Sequence, residues 1–165
     1  MSPCRALVVS GVALICAACT GFGTRAPQPG VAAYPQPSGA SANDVLFRAL
    51  GLVGTPYRYG GNTPSSGFDC SGLVDYVFRS VAGIPLPRTA AEISRIDAPE
   101  IGFGDLRSGD IVYFHGHSRH VTHVGIYVGN GRFVHAPNRG GTVRLDHLDS
   151  PYWRDHFSGA RRVLR

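Results

Sequence analysis

The sequence predicts one α+β domain in which N-terminal helices pack on an antiparallel β-sheet. Up to about residue 96 the apolar residues recur at helical spacing, and from residue 110 onward they alternate with a period of two. Helices that come first and strands that follow are typical of the α+β class. The chain has 165 residues, 43% hydrophobic and 16% charged, which is enough for one compact core.

The first nineteen residues are typical of an export signal. Arg5 precedes an apolar run that is too short to span a bilayer, and no acidic residue interrupts it. The run ends in Ala17-Ala18-Cys19, which resembles the acylation motif of bacterial lipoproteins, although Cys16 stands where an aliphatic residue is usual. We therefore expect residues 1–19 to form a signal peptide with lipidation at Cys19, and cleavage without lipidation is the alternative. The protein would be exported to the periplasm and anchored to the membrane.

The segment from residue 20 to residue 41 is rich in proline, glycine, alanine and serine and has no hydrophobic period. Such a composition is typical of a flexible tether. It leaves residues 42–165 as the folded domain.

Capping signals and apolar spacing predict three helices in the first half of this domain. Ser41 or Asn43 caps a helix that runs to about Val53. A second helix begins at Cys70 and ends near Gly83, and a short third helix covers residues 90–96.

Strands are predicted at residues 110–114, 122–128, 132–136, 142–145 and 160–164. Asn130-Gly131 is a strong hairpin signal between the second and third of them. With a simple two-residue loop, His123 and His135 would lie on opposite sides of the sheet. A three-residue loop, Gly129 to Gly131, with a bulge would bring both histidines to one face, and we predict that arrangement.

Cys70 is the candidate nucleophile. It is the only cysteine after residue 19, and it begins a predicted helix, where the positive end of the helix dipole is expected to lower the pKa of its thiol. A small buried apolar role is the alternative. A cysteine nucleophile needs a base, and His123 and His135 are the two histidines that interrupt otherwise apolar strands.

The other histidines suggest a different chemistry. His115, His117, His120 and His123 are dense enough in the sequence to suggest a zinc hydrolase. They lack a helix that would present two ligands on one face and an evident carboxylate ligand nearby. We therefore expect no metal and no other cofactor.

All sixteen basic residues are arginines, and the net charge is +5. Because these arginines are scattered and not interleaved with aromatic residues, an acidic polymer is a better partner than nucleic acid. Simple solubility explains the charge equally well.

Several short segments together resemble the NlpC-type cell-wall endopeptidases, which are papain-like bacterial cysteine peptidases. The resemblance extends from about residue 43 to residue 165, in the order of the family's motifs. The matching segments are Pro56-Tyr-Arg-Tyr-Gly-Gly61, Gly67-Phe-Asp-Cys-Ser-Gly-Leu-Val74, Leu86-Pro-Arg-Thr89, Gly109-Asp110, His123-Val-Gly-Ile-Tyr127 and Phe133-Val-His-Ala136.

The resemblance implies a hydrolase of peptidoglycan stem peptides, which often cuts between D-glutamate and the diamino acid through an acyl-enzyme. Carried over by position, Cys70 is the nucleophile, His123 the general base and His135 the residue that orients it. Tyr57 matches a tyrosine whose hydroxyl helps to bind the oxyanion. We expect a monomer that binds stem peptides, and the membrane through its lipid anchor.

Three further residues match or suggest substrate contacts. Asp69 and Ser71 match positions that bind a substrate amine in some members of the family, although Asp69 would also cap the helix of Cys70. Arg88 would bind a substrate carboxylate or form a structural ion pair. Ile93 stands near where many members have glutamine. The alternative functions are a non-catalytic wall-binding lipoprotein, and an amidase or acyltransferase that uses the same site.

Overall fold

The computed structural model of the protein describes residues 41–138 and 141–164. These residues belong to one compact unit. The predicted signal peptide, the lipidation site Cys19 and all of the predicted tether except residue 41 lie outside the described residues. Among the described residues, no helix has the length and apolar character that crossing a bilayer requires.

The described residues form four helices: α1 (Ala42–Leu50), α2 (Cys70–Ala82), α3 (Ala90–Ile93) and α4 (Pro151–His156). The first three are those predicted from the sequence, although α1 ends three residues earlier and α3 is shorter. Helix α4 was not predicted, because its six residues are too few to show a hydrophobic period. A 3₁₀ turn at Phe103–Asp105 is also present.

Within residues 41–138 and 141–164 the strands form a two-stranded ribbon and a six-stranded sheet, and every pair of these strands is antiparallel. The strands of the large sheet lie in the order β3-β8-β4-β5-β6-β7. Their bounds, with those of the ribbon first, are β1 (Asn62–Thr63), β2 (Gly67–Phe68), β3 (Glu100–Ile101), β4 (Ile111–His115), β5 (Val121–Gly129), β6 (Arg132–His135), β7 (Arg144–His147) and β8 (Phe157–Arg161). The α+β class is therefore confirmed.

The predictions for the last two strands are wrong in position. The strand predicted at residues 142–145 lies at Arg144–His147, and the one predicted at residues 160–164 lies at Phe157–Arg161. The very short strands β1, β2 and β3 were not predicted at all. Two-residue strands depend on tertiary pairing, which local sequence does not report.

Helix α2 forms because its two ends are well capped and one face is apolar. The Asp69 carboxylate accepts a hydrogen bond from the Gly72 amide at 2.6 Å, and Gly83 ends the helix in the left-handed conformation with φ 67°. The capping role predicted for Asp69 is thus confirmed. Leu73 and Val77, on the apolar face, are completely buried.

Both faces of the sheet are buried. On one face Val124, Ile126 and Val134 pack against α1, α2 and α3. On the other face Phe114 and Phe133 belong to a second cluster, against which Trp153 of α4 packs. Since side chains alternate along a strand, His123 shares this second face with Phe114, its partner across the β4–β5 ladder.

The β5–β6 hairpin contains an extra residue, but not where the sequence predicts it. Gly129 pairs with Arg132 across a two-residue turn, in which Asn130 (φ 52°) and Gly131 (φ 67°) are both left-handed. The predicted three-residue loop is therefore wrong. A bulge at Val128 supplies the same shift, because Tyr127 pairs with Phe133 on its far side. The register required to bring His123 and His135 to one face is confirmed.

Gly125 lies across from His135 in this register and leaves room for its side chain. A Cβ atom at Gly125 would lie 2.7 Å from Cδ2 of Phe133, 2.8 Å from the carbonyl oxygen of Val134 and 3.1 Å from Cβ of His135. Two of these atoms belong to the strand backbone or to a buried ring, so they cannot move aside cheaply. A glycine here is a packing requirement of the β5–β6 pair.

We predict that Gly125→Ala lowers the free energy of unfolding by about 1–3 kcal/mol, as overpacking of a well-filled core does. Urea unfolding measures it. Gly104→Ala is the matched control, since a Cβ there meets no atom within 4 Å, and it should change stability by less than about 0.5 kcal/mol. Equal stability of the two variants would contradict the close packing of Gly125 against β6.

Candidate active site

Cys70 is the first residue of α2 and lines a cleft of about 610 Å³. It is half-buried and forms no disulfide. Residues from six other parts of the chain line the same cleft, among them Tyr57, His123, Arg144, Tyr152 and Trp153. The cleft therefore brings together the predicted nucleophile, the predicted base and the predicted oxyanion tyrosine.

A chain of three polar side chains runs from the cleft into the sheet. Nε2 of His123 lies 2.9 Å from Nδ1 of His135, and Nε2 of His135 lies 3.0 Å from Oδ2 of Asp146. His135 is completely buried. The register shift at Val128 is what allows the two imidazole rings to meet on one face of the sheet.

Asp146 was not among the residues singled out from the sequence, nor were the two side chains that hold it. The Trp153 indole donates to Oδ2 of Asp146 at 2.9 Å, and Arg144 donates to Oδ2 at 2.9 Å and to Oδ1 at 3.1 Å. The alternation Arg144-Leu-Asp146 was an available signal, since it places both charges on one face of a strand. Because the predicted strand ended at residue 145, Asp146 was left outside it.

Aromatic rings enclose both histidines. The ring of Trp153 stacks on His123 with centroids 5.4 Å apart, and the ring of Phe133 stacks on His135 with centroids 4.7 Å apart. The ring of Phe114 also lies against His123, with centroids 6.1 Å apart. These contacts remove water from the imidazole rings and fix their planes.

Burial keeps both histidines neutral. Burial, followed by the effect of the neighbouring His135, lowers the pKa of His123 from 6.5 to about 3. Burial likewise lowers the pKa of His135 to about 4, against the opposing effect of the Asp146 carboxylate. A neutral imidazole has a lone pair that can accept a proton, which is what a general base requires.

The prediction of a lowered thiol pKa for Cys70 is wrong for this structure. Burial raises that pKa, and the negative charge of Asp69 raises it further. Hydrogen bonds from the backbone of Val124 and of Ser71 act in the opposite direction but do not outweigh burial. The cleft thus holds a neutral thiol and a neutral imidazole, so a reaction that used the sulfur as a nucleophile would have to move the thiol proton to a base.

The polar atoms of Asp69, Ser71 and Arg88 bond to one another and to the surrounding backbone. Oγ of Ser71, a buried residue, lies 2.7 Å from the carbonyl oxygen of Arg88 and 3.0 Å from Oδ1 of Asp69. Arg88 forms an ion pair with Asp69, with 3.4 Å between Nη2 and Oδ2. The ion-pair alternative for Arg88 is therefore observed, and the substrate-amine roles of Asp69 and Ser71 remain predictions.

The four histidines of the zinc alternative do not converge. His117 and His120 are exposed loop residues, and Nδ1 of His115 lies 3.0 Å from Oγ of Ser158. In the described part of the chain, no three or more His, Cys, Asp or Glu side chains are grouped to hold a metal ion. His123 instead points its Nε2 at His135.

A profile model of the NlpC/P60 family matches residues 54–162. The chain belongs to the NlpC/P60 family. The crystal structure of an NlpC/P60 family protein from Bacillus cereus ATCC 10987 superposes with a TM-score of 0.71 at 31% sequence identity, over 77% of this chain and 41% of that one. This likeness confirms the predicted α+β fold of the papain-like type.

Two curated relatives from Escherichia coli (strain K12) match this NlpC/P60 domain. One, the Probable endopeptidase YafL, is 46% identical over 122 residues, which are 73% of this chain and 49% of that protein. The other, the Murein DD-endopeptidase MepH, is 45% identical over 122 residues, which are 73% of this chain and 45% of that protein. The matched part of the chain thus spans about half the length of each relative.

The neutral histidines of the NlpC/P60 domain predict acid sensitivity. Their pKa values are about 3 and about 4 in the folded protein, whereas an exposed histidine titrates near 6.5. Below pH 6.5 the unfolded chain therefore binds more protons than the folded one, and stability falls as the pH falls toward 4. Each imidazole ring lowers the free energy of unfolding by at most about 1.4 kcal/mol for every pH unit of acidification.

Thermal unfolding between pH 7.5 and pH 4.5 measures this slope. His135→Gln should flatten it, and His120→Gln, at an exposed loop position, should leave it unchanged. Against the opposing effect of its partial burial, hydrogen bonds from Arg144 and Trp153 lower the pKa of Asp146 from 3.8, so the stability that this group contributes is lost below about pH 3.8, outside this window. Equal slopes for the wild type and His135→Gln would contradict a neutral buried His135.

Proposed function

We propose that the protein is a peptidoglycan hydrolase, a cysteine endopeptidase that cuts stem peptides through an acyl-enzyme on Cys70. The observation that carries the proposal is the single cleft lined by Cys70 and His123, with His123 hydrogen-bonded to His135. A nucleophile, a base and a residue that orients the base are the minimum that covalent acyl transfer requires.

The proposed reaction begins with transfer of the Cys70 thiol proton to His123 as the sulfur attacks the peptide carbonyl carbon. Backbone N–H groups at the start of α2, with the Tyr57 hydroxyl, stabilise the oxyanion that forms. His123 then gives its proton to the leaving amine, and a thioester remains on Cys70. Water, deprotonated by His123, attacks the thioester; the C–S bond breaks, the second product leaves as a carboxylic acid, and His123 returns its proton to the sulfur of Cys70.

Two observations support a stem peptide as the substrate. Stem peptides carry free carboxylates, and Arg144 lines the cleft with about half of its side chain (53%) exposed, so it adds positive charge there while its Nε and Nη2 stay bonded to Asp146. The relative MepH is named for its action on murein. The proposal does not use Asp69 and Ser71 as amine ligands, because their polar atoms would first have to leave Gly72 and Arg88.

The bond that we propose is the one between D-glutamate and the diamino acid, which the family resemblance implies. The second candidate is the cross-link between two stem peptides. The relative MepH favours it, since its name is that of a DD-endopeptidase. The two cuts give different products, so one experiment separates them.

Purified wild-type protein should convert peptidoglycan fragments in a reaction that iodoacetamide blocks and a chelator does not. Cys70→Ala and His123→Ala should each lower kcat by about 10⁴-fold or more, since nucleophile and base act as one unit. His135→Ala should cost less, about 10- to 100-fold, because it acts through His123. His120→Ala is the matched control and should keep full activity.

Mass spectrometry of the digested fragments identifies the bond. A D-glutamate cut leaves disaccharide dipeptides, whereas a cross-link cut turns dimers into intact monomers. Loss of activity in His120→Ala but not in His123→Ala would overturn the assignment of the base. If Cys70→Ala binds and functions like the wild type, the non-catalytic wall-binding alternative is correct. Transfer to an acceptor amine without net hydrolysis would instead identify an acyltransferase.

We further propose that the protein is exported and anchored through lipidated Cys19. The expected result is a membrane-associated protein whose mature N-terminal residue is an acylated Cys19, and Cys19→Ser should stay unprocessed. Fractionation and N-terminal mass spectrometry measure this, with Cys4→Ser, which lies outside the acylation motif, as the control that should be processed normally. A mature, unacylated protein that begins at another residue would contradict the anchor.

A further inference from the structure

The chain of hydrogen bonds that starts at His123 does not end at His135. It continues to Asp146, whose carboxylate accepts four hydrogen bonds. Oδ2 accepts from Nε2 of His135 at 3.0 Å, from Trp153 at 2.9 Å and from Arg144 at 2.9 Å. Oδ1 accepts from Nε of Arg144 at 3.1 Å. The carboxylate is therefore fixed from three directions, and it faces the buried imidazole of His135.

The donor and acceptor roles along this chain follow from its last member. An ionised carboxylate only accepts hydrogen bonds, so Nε2 of His135 must carry a hydrogen. A neutral imidazole has one N–H and one lone pair, which leaves Nδ1 of His135 as an acceptor. Nε2 of His123 lies 2.9 Å from that atom and must donate to it. The lone pair of His123 is then on Nδ1, the nitrogen that is not bonded to His135.

We propose that Asp146 is a positioning residue of the peptidase site, which fixes the tautomer of His135 and, through it, the tautomer of His123. This inference rests on the proposed function and deepens it. It assigns Nδ1 of His123 as the atom that takes the proton from Sγ of Cys70. Asp146 stays ionised throughout, and it touches neither the substrate nor the thiol.

Neighbouring side chains donate hydrogen bonds that stabilise the negative charge of Asp146. In the β6–β7 register, Phe133 lies opposite Asp146 and His135 lies opposite Arg144. Arg144 donates two parallel hydrogen bonds to the carboxylate of Asp146, a geometry that fixes the orientation of the carboxylate as well as its distance. Trp153 reaches the same carboxylate from α4 while its ring covers His123. One tryptophan therefore links the base and the residue that sets its tautomer.

The charges on Asp146 and Arg144 act on the two rings in opposite directions. Asp146 raises the pKa of His123 and of His135, and Arg144 lowers both. When His123 accepts the thiol proton, the carboxylate stabilises the imidazolium through His135. Removal of either charge should therefore move the pH at which the base becomes protonated, and a purely structural role would not.

The first test reads the tautomers directly and needs no substrate. Long-range ¹H–¹⁵N NMR of the full-length wild type at pH 7 should show both rings protonated on Nε2 and unprotonated on Nδ1, with signals assigned from His123→Gln and His135→Gln. In Asp146→Ala the fixed tautomers should give way to a mixture. A wild-type His123 protonated on Nδ1, or unchanged tautomers in Asp146→Ala, would overturn the proposal.

The second test uses Asp146→Asn, which keeps the shape and one acceptor oxygen, so it serves even if Asp146→Ala does not fold. Its kcat on stem peptides should fall about 10- to 100-fold with little change in KM. The acid limb of kcat/KM should move to lower pH in Asp146→Asn and to higher pH in Arg144→Gln. Asp149→Asn, an exposed carboxylate on the following turn, is the matched control and should move neither.

The outcomes separate this inference from the proposed function. If no peptidoglycan fragment is cut but the tautomers are as expected and depend on Asp146, the proposed function fails and the positioning role stands. If fragments are cut but the acid limbs of Asp146→Asn and Arg144→Gln do not move in opposite directions, the positioning role fails and the proposed function stands.

Discussion

The site depends on one extra residue in a strand. In an antiparallel pair the side chains alternate between faces, so a shift of one residue moves every side chain of a strand to the other face. The bulge at Val128 produces this shift between the hairpin turn and Tyr127. It brings His123 and His135 to the same face of the sheet, and their 2.9 Å hydrogen bond follows from it. The absence of a side chain at Gly125 then gives the imidazole of His135 the space to reach its partner.

Burial determines the chemistry that this arrangement can perform. The rings of Trp153, Phe114 and Phe133 exclude water from the histidines, and desolvation disfavours a charge on either of them. The same effect raises the pKa of the Cys70 thiol. A resting thiolate–imidazolium pair is therefore disfavoured, and the proton leaves the sulfur as the carbonyl carbon is attacked. A carboxylate at the far end of the chain then stabilises the charge that His123 acquires.

Local patterns in the sequence predict the parts of the site that local interactions build. The apolar spacing after Cys70, the cap at Asp69 and the left-handed Gly83 define α2, and Asn130-Gly131 identifies the hairpin. That His123 and His135 lie on the same face of the sheet is also predictable, although the bulge that places them there lies in β5 and not in the turn. The roles of Asp146 and Trp153 could not be predicted, because they depend on how β7 and α4 pack. The sequence around these two residues carries no strong local signal. Burial likewise outweighs the helix-start effect on Cys70, and burial is a property of the whole fold.

Helix α4 is held in place at the site by few local interactions. It has six residues, no side-chain hydrogen bond at its N-terminal cap and no buried residue, so tertiary contacts such as that of Trp153 with Asp146 have to hold it. Segments of this kind open by local unfolding at a small fraction of the global free energy. Each opening would uncover His123 to water and let it gain a proton near neutral pH. Fraying of the six residues of α4 would thus leave His123 protonated and unable to act as a base, while the core of the domain stayed folded.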